Sequence, residues 1–490
     1  MNSRQILVTG LVLMGWCSAV VARADVVTDW NAVLRLGMQE EGNSAGNANP
    51  GWSTRAMAMM NGAIYDCFQA IERTHQPFAA DLRAPATASK AAAAAQAAHD
   101  LLVALYASQA DLFDAQLAAS LEGIPDGPDR EAGIALGAAA ALHYLEWRAD
   151  DGADSSVPYE ASDLPGRWRP DPLHPDQEAW GPAWRSVRPF TLESPAQFAP
   201  PSPPALDSPA YTLAYQEVKE LGRKDSAIRT PEQTEIGFFW AYDRSHMGPP
   251  PVFYNRNVEE ISVQMGNSPE ENARLFAMVS VAMADAAIGA WDCKYLDDFW
   301  RPVTGIREGD TDGNEETEPE PGWEPLGAPE LNGDNFTPPF PAYVSGHATM
   351  GEAAYRILAV FYGGDEVGFR LSSEELPGIE RTYTHFSQAS AENAWSRIYL
   401  GIHWNFDATE GMVVGRQVAD YVAERYFLPI PQTLEIVYRD GNVVLSWEGE
   451  GHLQQSSVMR LDSWEDLPGA TSPFEQSVVE ARERYFRLAR

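Results

Sequence analysis

From residue 25 to about 150, apolar positions recur every three or four residues, the spacing that places them on one face of an α-helix. The stretch RAMAMMNGAIYDCFQAIERTH (55–75) carries this pattern, and the Ala- and Leu-rich segment 88–123 stops at Gly123, a helix-ending residue. A proline-rich stretch at 193–209 breaks the rhythm and reads as an extended loop. Helical spacing returns in TPEQTEIGFFWAYD (230–243) and runs through 271–300. A second break, 307–335, is acidic and rich in turn formers. Two further helical segments follow, at 346–363 and 403–427. After residue 430 the period changes to two: TLEIVYRDGNVVLSW alternates around Asp440-Gly441, a hairpin signal. The pattern predicts an all-α body over 25–429 and a small β module over 430–490.

The first 24 residues stand apart. Arg4 precedes an apolar run from Ile6 to Val21, and Ala22-Arg23-Ala24 ends it. That is the layout of a signal peptide cut after Ala24. The competing reading, a membrane anchor, needs a longer run. No later segment approaches 18 uninterrupted apolar residues. The expectation is an exported protein, secreted or periplasmic, with no membrane span in its mature form. Cys67 and Cys293 remain after cleavage, and either a disulfide or two buried thiols accommodates them. A formal charge of −35 with no basic stripe argues against nucleic acid or an anionic membrane as partner.

Only four of the 35 basic residues are lysines. One of them, Lys294, stands seven before Arg301 in KYLDDFWRP. On a single helix the two cations would lie about 20° apart, and Phe299, Trp300 and Pro302 make a solvated stripe a poor explanation. Next, PPFPAYVSGHATMGEAAY sets Ser345, Gly346 and His347 where an extended segment turns into a helix. Free N–H groups at such a start, with a hydroxyl and a glycine, make an anion cradle. An ordinary serine cap has the same look. A third stretch, SRIYLGIHWNFD, holds Arg397, His403 and Asp407, the last two at i,i+4 spacing so that the carboxylate can orient the imidazole. A core histidine is the bland reading there. Each segment is weak alone. Together they supply three cations, a helix N-terminus and two histidines, an assembly suited to a tetrahedral oxyanion.

The order Lys-x6-Arg-Pro, Ser-Gly-His, Ser-Arg-x5-His-x3-Asp resembles the signature of the vanadium-dependent haloperoxidases and the type 2 phosphatidic acid phosphatases. QTEIGFFWAYD (233–243), RLFAMVSVAMADA (274–286) and the three motif segments are similar to the fungal-type vanadium chloroperoxidase branch over most of 230–410. Val344 departs from the pattern, which has proline before Ser-Gly-His. The resemblance implies a body of two four-helix bundles with the active site in 230–415. It implies vanadate as cofactor and oxidation of chloride and/or bromide by hydrogen peroxide to hypohalous acid, with a small organic acceptor as an optional further partner. By the same resemblance His403 is the metal ligand, while Lys294, Arg301, Arg397, Ser345 and the Gly346 N–H hold the oxyanion. His347 is then the acid–base group, Lys294 polarises peroxide, and Asp243 hydrogen-bonds His347 and raises its basicity. Trp291 and Phe340 line the halide side. The alternative is a secreted acid phosphatase with His403 as nucleophile. A binding protein acting through its β module is a third reading.

Overall fold

The computed structural model describes residues 25–41, 49–244, 247–330, 334–430, 434–439, 441–447, 452–458, 460, 463–477 and 484–489. The leader read in residues 1–24 lies outside them. Among the described residues there are thirteen α-helices. The first five are α1 Val26–Glu41, α2 Pro50–Glu72, α3 Lys90–Leu105, α4 Ala110–Glu122 and α5 Pro128–Arg148. After a long connection come α6 Pro209–Leu221, α7 Pro231–Phe239, α8 Pro250–Met265, α9 Pro269–Asp297 and the short α10 Pro302–Arg307. The body closes with α11 Gly346–Phe361, α12 Phe386–Tyr399 and α13 Asn405–Arg425. In the first bundle α3 packs along α2 and α5, with α1 and α4 against it. In the second, α11 is the central helix and touches α9, α12 and α13. The long contact of α2 with α9 joins the two bundles.

The start of α9 is specified locally. Ser268 accepts the Glu271 N–H, Glu271 returns the bond to the Ser268 N–H, and Pro269 occupies the first turn. This helix is long and apolar enough to cross a membrane, yet 94% of its most apolar stretch is buried inside the fold. An all-round apolar helix of this kind is a core helix. It ends where Asp298 takes a left-handed conformation, φ 53°. Lys294 therefore sits in the last turn of α9 while Arg301 lies beyond it, at the cap of α10. This corrects the expectation that the two cations share one helical face. A chain reversal, not helical periodicity, brings them together.

Two polar devices fix how the helices meet. Asn31 on α1, Asn61 on α2, Ser280 on α9 and Asn255 on α8 form a buried hydrogen-bonded knot. Such a network tolerates only one register, because any slip leaves buried amides unpaired. Asp285 on α9 accepts the N–H groups of Phe190, Thr191 and Leu192 and the Thr191 hydroxyl. That nest pins residues 190–192 of the α5–α6 connection onto the core.

The helical body also contains a hairpin that periodicity did not reveal. Its strands, β1 Phe369–Ser372 and β2 Glu380–Tyr383, are four residues each and pair antiparallel. Beyond the body, β3 Glu435–Arg439 and β4 Asn442–Ser446 pair with Arg439 opposite Asn442, and Gly441 has φ 86°. That register closes a tight hairpin beside Gly441, as expected, while Asp440 lies outside the described residues. Four more strands follow, β5 His452–Ser456, β6 Glu465–Asp466, β7 Phe474–Ser477 and β8 Tyr485–Ala489, giving three-stranded sheets ordered β3-β4-β7 and β6-β5-β8. Cys67 and Cys293 are buried free thiols, so of the two accommodations left open, the thiols hold.

Asp285→Ala should lower unfolding free energy by about 2–4 kcal/mol, because it strands three buried N–H groups at once. Denaturant titration checks this; an unchanged midpoint would show that the nest does not hold the connection.

Candidate functional site

Four chain segments converge on one buried cluster: the end of α9, the cap of α10, the start of α11 and the link from α12 to α13. The Ser345 N–H donates to the Asp407 carbonyl at 2.9 Å, tying the start of α11 to the first turn of α13. Gly401 makes the α12–α13 link possible. Its φ is 73°, and a Cβ there would stand 2.3 Å from the Gly222 carbonyl oxygen. No other residue could turn the chain so tightly and deliver His403 into the core two positions later.

Arg301 is 1% exposed. Its Nε donates to the Phe340 carbonyl at 2.9 Å, and Nη1 donates to the Ile402 carbonyl at 2.8 Å and to His403 Nε2 at 2.9 Å. A guanidinium can only donate, so Nε2 must carry a lone pair. The proton of His403 therefore sits on Nδ1, which donates to Asp407 Oδ2 at 2.8 Å. The same carboxylate oxygen accepts the Trp404 N–H at 3.0 Å. His403 thus presents a ligating nitrogen with its tautomer and ring orientation set.

Arg397, at the end of α12, is fully buried, and its Nη2 meets Asp243 at 2.5 Å. Its Nε and Nη1, and Nη2 of Arg301, are buried and have no hydrogen-bond partner among the described residues. A buried charged donor left unpaired costs about 1–3 kcal/mol or more. Three of them beside a helix start call for an anion with several oxygens. Ser345 caps α11, accepting the Ala348 N–H, and the N–H groups of Gly346 and His347 fall in a first turn that offers no helical acceptor. A Cβ on Gly346 would come within 3.2 Å of the Trp291 ring, so glycine keeps the backbone of the cradle open.

Two expected roles need correction. Lys294 is fully buried, but its Nζ donates to the carbonyls of Pro341 (2.9 Å), Ala342 (3.1 Å) and Val344 (2.6 Å). An ammonium has three N–H bonds, so all are used. Lys294 braces the segment leading into α11 instead of offering a hydrogen to the anion cradle. Asp243 does not hydrogen-bond His347 either. His347 Nε2 donates to the Ala241 carbonyl at 2.8 Å, and Asp243 Oδ2 lies 3.9 Å away. The cause is local: Tyr242, at φ 43°, turns the chain so that the carbonyl before it faces the imidazole and the carboxylate after it reaches Arg397. With its proton on Nε2, His347 has Nδ1 as its basic atom.

The electrostatics follow from burial first and from the crowding of cations second. Burial, then the Arg397 charge, pushes His347 down to about 3. Burial, then Arg301 and Lys294, holds His403 well below the ordinary imidazole range. Burial lowers Arg301 to about 9 and puts Lys294 well below its usual value, while it lifts Asp407 to about 7. Both imidazoles are neutral at physiological pH.

Trp291 and Phe340 pack with ring centroids 5.1 Å apart at a tilt of 53°, and the Phe340 ring lies 5.0 Å from both the Lys294 ammonium and the Arg301 guanidinium. They close one wall of the cluster. A cavity of about 830 Å³ runs from the surface to this wall, reaching Tyr242, Asp243 and Phe340. Trp180, from the α5–α6 connection, completes the aromatic wall at 4.9 Å from Trp291. Sequence reasoning missed Trp180 and the Ala241 carbonyl. The first lies in a stretch without periodicity, and a backbone carbonyl has no residue signature.

A family model described as the VCPO second helical-bundle domain matches residues 274–430, a span that holds every site residue named above except Trp180, Gly222, Ala241, Tyr242 and Asp243. The vanadium chloroperoxidase of Curvularia inaequalis is 35% identical over 359 residues, 58% of this chain. The chain likewise spans 58% of the length of that relative. A solved bacterial vanadium-dependent iodoperoxidase superposes with a TM-score of 0.69 at 27% identity, covering 82% of this chain and 96% of its own. The holo form of a bacterial vanadium-dependent chloroperoxidase shares the fold, with a TM-score of 0.59 at 17% identity over 78% of this chain and 92% of its own.

The depressed His347 makes a prediction about stability. Unfolded, the imidazole titrates near 6.5; folded, near 3. Between these values the unfolded chain binds more protons, so stability is lost as pH falls from 6.5 toward 3. His347→Gln should remove about one proton from that slope, ~1.4 kcal/mol per pH unit. Denaturant midpoints from pH 7 to 4 check it, and an unchanged slope would mean His347 is not held neutral.

Proposed function

We propose that this chain, a homologue of the vanadium haloperoxidases, is itself a vanadate-dependent haloperoxidase, using hydrogen peroxide to oxidise chloride and/or bromide to hypohalous acid. The observation that carries the reading is the set of buried, unpaired guanidinium N–H groups of Arg301 and Arg397 beside a histidine nitrogen whose lone pair is met only by an Arg301 N–H. That donor set fits vanadate, an oxyanion able to accept several hydrogen bonds and to take one imidazole ligand. Arg301, Arg397, the Ser345 hydroxyl and the first-turn N–H groups of Gly346 and His347 would hold its oxygens. His403 Nε2 would bind the metal, which requires Arg301 Nη1 to release that nitrogen.

Bound vanadate supplies Lewis acidity that activates hydrogen peroxide toward halide without a change of oxidation state. The chain's own contribution is positioning and proton handling. Neutral His347, with Nε2–H anchored on Ala241, can accept a proton from incoming peroxide at Nδ1 and return it later. Lys294 acts by bracing residues 341–344 and by its charge, not as a direct hydrogen-bond donor. Phe340 and Trp291 keep water off one side of the site, where a weakly hydrated halide gains most. Export belongs to the same proposal. It is supported by the leader pattern of residues 1–24, and by Asp25 already capping α1 through the Val27 and Thr28 N–H groups, so that the helix needs nothing upstream to begin.

Purified protein loaded with vanadate should halogenate phenol red with peroxide and bromide or chloride, and His403→Ala should reduce turnover to background. Asp407→Ala, which removes the group orienting His403, should weaken vanadate binding by about 10–100-fold. Absence of halide turnover, together with phosphoester hydrolysis inhibited by vanadate, would move the assignment to a phosphatase on the same pocket.

A further inference from the structure

The segment that follows α7 carries two contacts of the site, yet no helix or strand shapes it. Its Ala241 carbonyl takes the Nε2 proton of His347 at 2.8 Å, and its Asp243 carboxylate meets Nη2 of Arg397 at 2.5 Å. Between them Tyr242 stands at φ 43°, in the left-handed region that a tyrosine avoids. A residue keeps such a conformation only where its surroundings over-determine it.

The β1–β2 hairpin supplies those surroundings. Ser373 Oγ donates to the Phe239 carbonyl at 2.7 Å. The Tyr242 hydroxyl accepts the Glu374 N–H at 3.0 Å and donates to the Glu374 carboxylate at 3.3 Å. Its ring stacks on Phe253 of α8 at 4.2 Å. Glu375 pairs with Arg244 Nε at 3.0 Å, with its own side chain only 2% exposed. From the other strand, Arg381 and Tyr383 hold the Glu392 carboxylate that accepts the Trp240 Nε1–H. The hairpin thus grips Phe239, Trp240, Tyr242 and Arg244. The two residues left between these grips, Ala241 and Asp243, are the ones that reach the site.

Glu375 shows what the arrangement costs. Its Oε1 is buried with no hydrogen-bond partner among the described residues. Burial, opposed by Arg244 and reinforced by Asp243, lifts the carboxyl to about 7. A buried carboxyl with one oxygen unmet does not favour the fold, and such costs are kept where a site needs the geometry.

We propose that the β1–β2 hairpin is the positioning element of the acid–base histidine, acting through Glu374 and Glu375 to set the Nε2–H tautomer of His347 and to seat Asp243 on Arg397. Both glutamates act through other residues and are positioning residues. The role of His347 rests on the haloperoxidase reading, whereas the clamp itself does not. Without the clamp Tyr242 relaxes to ordinary backbone, and the Ala241 carbonyl leaves the imidazole. Nothing then fixes which nitrogen holds the proton, and Nδ1 is no longer reserved as the basic atom.

The first measurement uses full-length protein carrying 15N-histidine, without vanadate. NMR follows exchange of the His347 Nε2 proton with water, the resonance being assigned by its loss in His347→Gln. Glu374→Ala/Glu375→Ala should speed that exchange about tenfold or more. The His403 Nδ1 proton, held by Asp407, should stay within about twofold of wild type. Glu374→Gln/Glu375→Gln keeps acceptors for Tyr242 and Arg244 and should restore exchange to within about threefold. In the second measurement, with vanadate bound, the alanine pair should lower kcat for bromide oxidation about tenfold or more. Vanadate affinity should remain within about threefold. If the alanine pair does not fold, Tyr242→Phe, which deletes only the hydroxyl, should move exchange and kcat the same way, by about threefold. Unchanged exchange, unchanged kcat, a fall in vanadate affinity as large as that in kcat, or a glutamine pair as defective as the alanine pair would each overturn the proposal. A wild type without halide turnover would instead overturn the haloperoxidase reading, and proton exchange would then decide the clamp.

Discussion

Lys294, Arg301 and Arg397 lie together in the protein core at 1% exposure or less, and the rest of the site can be understood as what such burial requires. Removing a charge from water costs several kcal/mol unless dipoles or counter-charges replace the hydration. Here most of the replacement is backbone: the carbonyls of Pro341, Ala342 and Val344 for Lys294, and those of Phe340 and Ile402 for Arg301. Those carbonyls are presented only because the chain reverses after α9, extends before α11 and turns at Gly401. Asp243 takes one edge of Arg397, and the remaining guanidinium hydrogens have nothing. The fold holds the cations in place and leaves their need for an anion unmet.

The same imbalance governs the proton chemistry. Burial first, and the fixed positive charge around them second, keeps both histidines neutral, and opposite nitrogens carry the lone pair in the two rings. Asp407 claims Nδ1 of His403 and turns the Nε2 lone pair toward Arg301; the Ala241 carbonyl claims Nε2 of His347 and leaves Nδ1. One ring is thereby a ligand and the other a base, though both are imidazoles in one cluster. Burial also pushes the thiol of Cys293, next to Lys294, up to about 12, so it stays protonated and unreactive beside a site proposed to generate a strong oxidant.

Much of this was legible in the residues. Helical periodicity located the body, the Asp-Gly pair located the hairpin at 440–441, and the ordered motifs located every cation and histidine of the cluster. What was not legible has physical causes. The expected Lys294–Arg301 face failed because Asp298 adopts a left-handed conformation usually left to glycine, and no residue type announced the stop. The four-residue strands at 369–383 are too short for a period of two to stand out. The partners of Lys294 and His347 are carbonyl oxygens, which every residue has. Trp180 comes from a connection with no repeat, so only tertiary structure brings it to the active-site wall.

The central claim is that the unmet donors of Arg301 and Arg397 and the lone pair of His403 define one oxyanion site. A crystal structure of the protein soaked with vanadate tests it most directly. The account predicts vanadium bound to His403 Nε2, oxygens bonded to Arg301 and Arg397, and the present 2.9 Å contact between Arg301 Nη1 and His403 Nε2 opened. An anion bound elsewhere, or that contact intact beside a bound anion, would contradict it.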